Sequence, residues 1–281
     1  MLRNIAVFVA FVYVAFFCSD SMLGGEAQSN KDLLFYVSFD KGADADFSVG
    51  SSIALIKGKY KLEKSIFNKA LKINYPCEIR YEASKNINAH EGSILMWIKP
   101  ILPSWTNGQP QFGIFSAGSF LKKCYKFSNG NLNENIFNPF LSLYLHYSRA
   151  LIPFPVRVYE GPADAMLALM PGLEKEKKTL DLLKAQSAVL RGRWSHIALI
   201  WREKKEKNGN KTAKMECLLY RNGELIGKTL FSGKWPKNLG KYLFLGRGPH
   251  RAEGTFLIDE LKIFNKAFSR KEIEKEYNKQ G

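Results

Sequence analysis

The pattern that most limits the fold is a succession of short runs, alternating or apolar, punctuated by Gly, Asn and Pro. They are Leu33 to Phe39, Ala70 to Asn74, Ser93 to Lys99, Phe112 to Ser116, Phe140 to Tyr147, Val156 to Tyr159, His196 to Arg202, Lys214 to Tyr220, Glu224 to Phe231 and Tyr242 to Leu245. Successive side chains on a strand point to opposite faces, so runs of this length bury one face and must stack as a sandwich or close as a barrel. Asn208-Gly209 and Asn222-Gly223 sit between consecutive runs, where Asn-Gly supplies the two positive φ angles of a tight hairpin. Two segments have helical character. Ser269-Arg-Lys-Glu272 is a capping box, followed by Ile273 and Tyr277 at i,i+4 spacing, which predicts a short C-terminal helix pinned to the sandwich. Glu174 to Leu190 reads equally as a helix or as a loop leading into a strand.

The N-terminus has a different logic. Met1-Leu-Arg-Asn precedes an apolar run from Ile5 to Phe17 and then small polar residues, the layout of a secretory signal peptide over residues 1–27. The run is short for a membrane span, so cleavage between Ser21 and Ala27 is expected, with a secreted or cell-envelope product and no membrane span in the mature chain. Phe17 stands where a lipidation site wants a small residue before Cys18, which argues against an anchor. The remaining cysteines are Cys77, Cys124 and Cys217, an odd set that allows one internal disulfide at most and does not say which. The whole chain carries a formal charge of +16, and loss of Arg3, Asp20 and Glu26 with the leader leaves the mature chain near +17. Such a surface favours polyanions. For an exported protein these are acidic polysaccharides or an anionic envelope, with nucleic acid not expected as a partner; the same charge also serves solubility.

Several segments fall in a recognisable order: "LLFYVSFD", "NKALKI", "HEGSILMWIKP", "RGRWSHIALIWRE", "CLLYRNGELIG", "YLFLGRG" and "GTFLIDELKIFNKAFSRKEIEKEY". Together they resemble the LamG-like jelly-roll domains of the concanavalin A-like lectin/glucanase superfamily. The resemblance implies an all-β fold, a two-sheet jelly-roll sandwich over residues 31–281, with a long insertion around 101–190 and the short C-terminal helix. That insertion exceeds what the family usually places between its "W.kP" and "W.HiA" strands, and "KGADADFSVGSS" keeps Asp44 and Asp46 without the usual spacing.

In "FLIDELKIF", a regular strand would put Asp259 on the same face as Leu257, Leu261 and Ile263, where a carboxylate is costly to bury without a partner. The resemblance implies one answer, a calcium ion held by Asp259 with Asp40 or carbonyls of the first strand. The other answer is that Asp259 accepts backbone N–H groups and locks the last strand in register.

Catalytic patterns are wanting. A retaining glycosidase needs two carboxylates about 5 Å apart. The glucanase-type Glu-x-Asp-x-x-Glu run does not occur, and Asp259 and Glu260 are adjacent. His90, His146, His196 and His250 are scattered without zinc spacing, and no Gly-x-Ser-x-Gly is found. "GELIGKT" is one residue short of a phosphate loop and follows a hairpin turn. Binding is the remaining role. Trp105, beside Asn107, Gln109 and Gln111, and Trp235 in "SGKWPKN" with Lys234 and Lys237, supply the flat apolar platforms and polar tips that sugars require. The expectation is an exported non-catalytic module for glycan or acidic polysaccharide. The alternatives are a scaffold for an extracellular protein and a glycan-cleaving enzyme with an unrecognised site.

Overall fold

A computed structural model describes residues 31–74, 76–103, 111–127, 130–146, 163–169, 181–189, 192–204, 214–231, 237–247 and 254–279. For 102–103, 111–112, 119–127, 130–146, 163–169, 181–189, 231 and 254 it describes the backbone alone. The strands are β1 (Leu33–Val37), β2 (Phe47–Ser48), β3 (Leu55–Lys57), β4 (Lys61–Lys64), β5 (Lys69–Asn74), β6 (Glu78–Glu82), β7 (Glu91–Pro103), β8 (Gln111–Phe127), β9 (Gly130–His146), β10 (Ala163–Leu169), β11 (Asp181–Val189), β12 (Ser195–Lys204), β13 (Lys214–Arg221), β14 (Glu224–Phe231), β15 (Tyr242–Leu245) and β16 (Gly254–Phe264). One helix follows, α1 (Arg270–Asn278).

The strands form two antiparallel sheets. The first has nine, in the order β14-β13-β12-β7-β16-β1-β2, with β5 also paired to β16 and β4 to β5. The second has seven, in the order β11-β10-β9-β8-β15-β6-β3. Between them lies the core. Phe35 and Val37 of β1, Ile94, Met96 and Ile98 of β7, and Ile197, Leu199 and Trp201 of β12 face Ile79 and Tyr81 of β6, Phe115 of β8 and Leu243 and Leu245 of β15. The members recur at every second position, as the pleat demands, and each large one contributes about 1.5–3 kcal/mol by leaving water. Polar tips within this layer are satisfied: Trp201 Nε1 donates to Asn88 O at 3.0 Å and Tyr81 Oη to Ala43 O at 2.7 Å. The result is the expected concanavalin A-like jelly roll.

Three local expectations are refined. Asp181–Val189 is a strand at the edge of the second sheet, so the Glu174 to Leu190 segment resolves against a helix where it is described. The insertion is not an appended lobe, since β8, β9, β10 and β11 lengthen the second sheet. Cys77 and Cys217 are buried thiols of the core, and the side chain of Cys124 lies outside the described residues, as do Val156 to Tyr159, Asn208-Gly209 and residues 1–27. The turn at Asn222 (φ 49°) and Gly223 (φ 80°) is the hairpin that Asn-Gly anticipates. No helix among the described residues is long and apolar enough to cross a membrane.

Helix α1 closes the outer face of the first sheet. Ser269 N donates to Glu272 Oε2 at 2.7 Å while Ser269 Oγ accepts from Glu272 N, the reciprocal box read from sequence. Ile273 is fully buried and Tyr277 stacks on Trp97 at 5.8 Å between ring centroids. Ser269→Ala is therefore expected to cost about 1 kcal/mol and lower the thermal midpoint by roughly 2–4 °C, readable in a melting curve.

Candidate functional site

Asp259 lies in an unexpected environment. β16 pairs with β7 in register at Asp259↔Trp97 and again at Lys262↔Leu95, so the chain bulges between them, and Glu260 takes φ 51°. A bulge reverses the alternation beyond it. Phe256 and Ile258 before it and Leu261 and Ile263 after it all point into the core. Asp259 does not share a face with Leu261 and Ile263, contrary to the expectation from a regular strand. It belongs to a row on the outer face, Asp259 beside Trp97 beside His196 across β16, β7 and β12. Phe67 and Tyr277 pack on Trp97.

Both acids have occupations. The carboxyl of Asp259 is fully buried; it accepts from Ser65 Oγ and, at 2.9 Å, from its neighbour's backbone Glu260 N. Burial pushes its pKa up to about 7, with the charges of Glu260 and Asp40 adding to the rise and the two hydrogen bonds opposing it. Asp40 Oδ1 accepts from Lys69 N at 3.0 Å. Asp46 and Asp44 cap Ser38 N at 2.7 Å and Ala54 N at 2.8 Å. A calcium ion wants six to eight oxygens. Among the described residues no three His, Cys, Asp or Glu side chains converge to hold a metal ion. The side chains of Asp259 and Asp40 by themselves supply too few oxygens for such a cage, and the further oxygens would come from backbone carbonyls. Glu260 accepts from Tyr36 Oη at 2.9 Å and pairs with Lys262 at 3.0 Å.

Trp105, Lys234 and Trp235 lie outside the described residues. Lys237 is exposed on the segment that leads into β15.

On the outer face of the second sheet, β6 and β15 build a polar site that the sequence reading passed over. Ile79 and Tyr81 turn inward, which sends Glu78, Arg80 and Glu82 outward. Glu78 is 5% exposed and holds two guanidinium groups: Arg80 Nε donates to Oε1 at 2.5 Å and Arg247 Nη1 to Oε2 at 2.5 Å. Burial works to raise the Glu78 pKa, but the two arginines outweigh it and hold the carboxyl below its usual range. The Arg80 guanidinium also lies over the Phe244 ring at 5.7 Å, directly across the Arg80↔Phe244 pair. Ser116 Oγ, on the neighbouring strand, fixes the turn by donating to Arg247 O at 2.7 Å. Tyr242, opposite Glu82, is part-exposed with Lys241 Nζ 5.1 Å from its ring centre. Two planar forks, oriented by one buried carboxylate and both part-exposed, are suited to paired oxygens on a saccharide or a uronate, and Tyr242 supplies an adjacent apolar face. The signal in sequence was the alternation in "EIRYE", with Arg247 just after "YLFL".

Comparison with known proteins agrees with this architecture. Residues 164–274 match the Laminin_G_3 family model of the concanavalin A-like lectin/glucanases superfamily, so the resemblance read from the chain is borne out. Among solved structures, Domain 4 of AbnA, a GH43 extracellular arabinanase from Geobacillus stearothermophilus, in complex with arabinotriose, aligns at TM-score 0.51 and 16% identity, over 87% of this chain and 98% of that one. The botulinum neurotoxin serotype D binding domain aligns at TM-score 0.57 and 16% identity, over 89% of this chain and 52% of that one. The binding domain of Paraclostridial Mosquitocidal Protein 1 does so at 0.52 and 12%, again over 52% of its length. The chain thus spans about half of the toxin domains it matches. At these identities the likeness is one of fold. No curated protein matches the chain.

Proposed function

We propose that the protein is an exported, non-catalytic module that binds glycan or acidic polysaccharide through the Arg80, Arg247 and Tyr242 face, with Trp105, Trp235, Lys234 and Lys237 as further contacts. The observation that carries the reading is the part-exposed arginine pair oriented by a buried Glu78, with the part-exposed Tyr242 ring on the neighbouring strand. A neighbouring fold that holds arabinotriose supports the ligand class, and the Met1 to Ala27 leader supports export.

One observation favours a second reading, a scaffold for an extracellular protein. Phe47, Val49, Ile53, Leu55 and Ile56 are all exposed within a short stretch that includes edge strands β2 and β3, and apolar groups gathered at an edge suit a protein partner.

The test is binding of the purified protein to a broad glycan and polysaccharide array at low and moderate salt, with calcium and with chelator. Hits on a narrow set that survive moderate salt are expected. Loss of every hit as salt rises would mean diffuse charge attraction and remove the selective reading. No hit at all would leave the scaffold, and dependence on calcium would restore Asp259 as a candidate ligand.

A further inference from the structure

On the opposite side of the sandwich, at the β12, β13 and β14 end of the first sheet, a second charged cluster has a different construction. Met215, Cys217 and Leu219 of β13 face the core, so Glu216 faces outward, yet its carboxylate is only 1% exposed. Three cations cover it. Arg202 donates through Nε at 2.7 Å and pairs through Nη2 at 2.6 Å with Oε2, while Lys204 Nζ and Lys228 Nζ reach Oε1 at 2.8 and 2.9 Å. Burial works to raise the Glu216 pKa, but the three cations bring it down to about 2, so the acid stays charged. The cationic side chains are 41%, 47% and 55% exposed.

The asymmetry matters. One carboxylate cancels one positive charge, and a surface pair needs no more than one partner. Here three are drawn to a single point and the cluster keeps a net charge of +2. Holding like charges this close is unfavourable unless something offsets it, and the sealed Glu216 offsets only part. A ligand approaching from solvent meets ammonium and guanidinium N–H groups with the carboxylate hidden beneath. Each ammonium has three donors and the guanidinium five, so several remain for an incoming anion.

We propose that Arg202, Lys204 and Lys228, gathered by Glu216, form a docking site for the sulfate or carboxylate groups of a polyanionic polysaccharide. This inference rests on the reading of the protein as a glycan binder but uses a separate surface, on the other sheet from Arg80 and Arg247. Anionic groups repeated along a polymer would be held here while the arginine face reads the sugar itself.

The test compares wild type, Lys204→Gln/Lys228→Gln, Lys204→Arg/Lys228→Arg and a control, Lys61→Gln/Lys64→Gln, which removes the same charge from exposed residues of strand β4. Binding to heparin, as the sulfated probe, and to polygalacturonate, as the carboxylated one, is measured across a salt series, with melting curves to confirm folding. Expected is a tenfold or greater loss for the Gln pair on at least one probe, with the log–log salt slope reduced by about 2, as for two lost ion contacts. The Arg pair and the control should bind within about twofold of wild type. The probe that responds more strongly identifies sulfate or carboxylate as the ligand group. Equal losses in the Gln pair and the control would show that only total charge matters and overturn the site. Wild type that binds neutral glycans but neither polyanion would overturn the site and spare the binding function, whereas silence toward every glycan would overturn both. Loss of polyanion with neutral glycan binding intact is the pattern this proposal requires.

Discussion

Arg80→Ala/Arg247→Ala is expected to destabilise the protein by on the order of 3–5 kcal/mol at neutral pH and to abolish selective glycan binding. The stability term follows from Glu78, which is 5% exposed and would lose both guanidinium partners at once. An uncompensated buried charge costs several kcal/mol, and part of that is relieved if the carboxyl takes up a proton. In wild type the sign is the reverse. The Glu78 pKa is held below its usual range, so its pair contributes stability that is present above the ordinary carboxylate pKa and lost as pH falls through the depressed one. A third substitution separates folding from function. Adding Glu78→Gln removes the orphaned charge and should recover most of the lost stability by denaturant unfolding, while binding stays absent. A folded triple variant that binds its glycans as well as wild type would exclude this face as the site.

The legibility of the molecule in its sequence follows where the physics is local. Strand positions such as Ile197, Leu199 and Trp201 were readable because period-two burial is written in one segment, and the Ser269 box because four adjacent residues satisfy one another. Short edge strands such as β2 and β3 have too few residues to show a period. Asp181–Val189 carries Leu and Ala residues that suit either element, and pairing with β10 decides it. The bulge in β16 was hidden because Glu260 at φ 51° is not a residue type that announces a left-handed backbone. Missing it put Asp259 on the wrong face. Glu78, Arg80 and Arg247 escaped notice for another reason: their convergence depends on β6 lying beside β15, a fact of topology rather than of any one segment.

Asp259→Asn is expected to leave stability nearly unchanged near pH 4 and to raise it by on the order of 3 kcal/mol near pH 8. The neutral carboxyl and the amide have the same shape and can keep both contacts, an oxygen accepting from Glu260 N and a donor facing Ser65 Oγ. What the amide cannot do is ionise. The Asp259 pKa is raised from 3.8 to about 7 in the fold, so its stabilising protonation is complete below about pH 4 and is lost as pH rises through 7. His196 in the same row titrates with the opposite consequence. Burial, and then Lys262, lowers its pKa to about 4, and its buried Nδ1 has no hydrogen-bond partner among the described residues. The unfolded chain takes that proton first, so the His196 contribution is present above about pH 6.5 and lost as pH falls toward 4. Across the shared window the two slopes oppose each other, and wild type should show a nearly flat profile from this row. Removing the Asp259 slope exposes the other, so that the variant gains stability with pH where wild type does not. Unfolding free energies of both proteins, measured from pH 4 to 8 and subtracted, isolate Asp259 from every other titrating group. A difference that stays flat would mean that Asp259 is ionised throughout, as a cation ligand would be. Calcium would then be expected to stabilise wild type and not the variant, and the hydrogen-bonded reading of this carboxyl would fall with it.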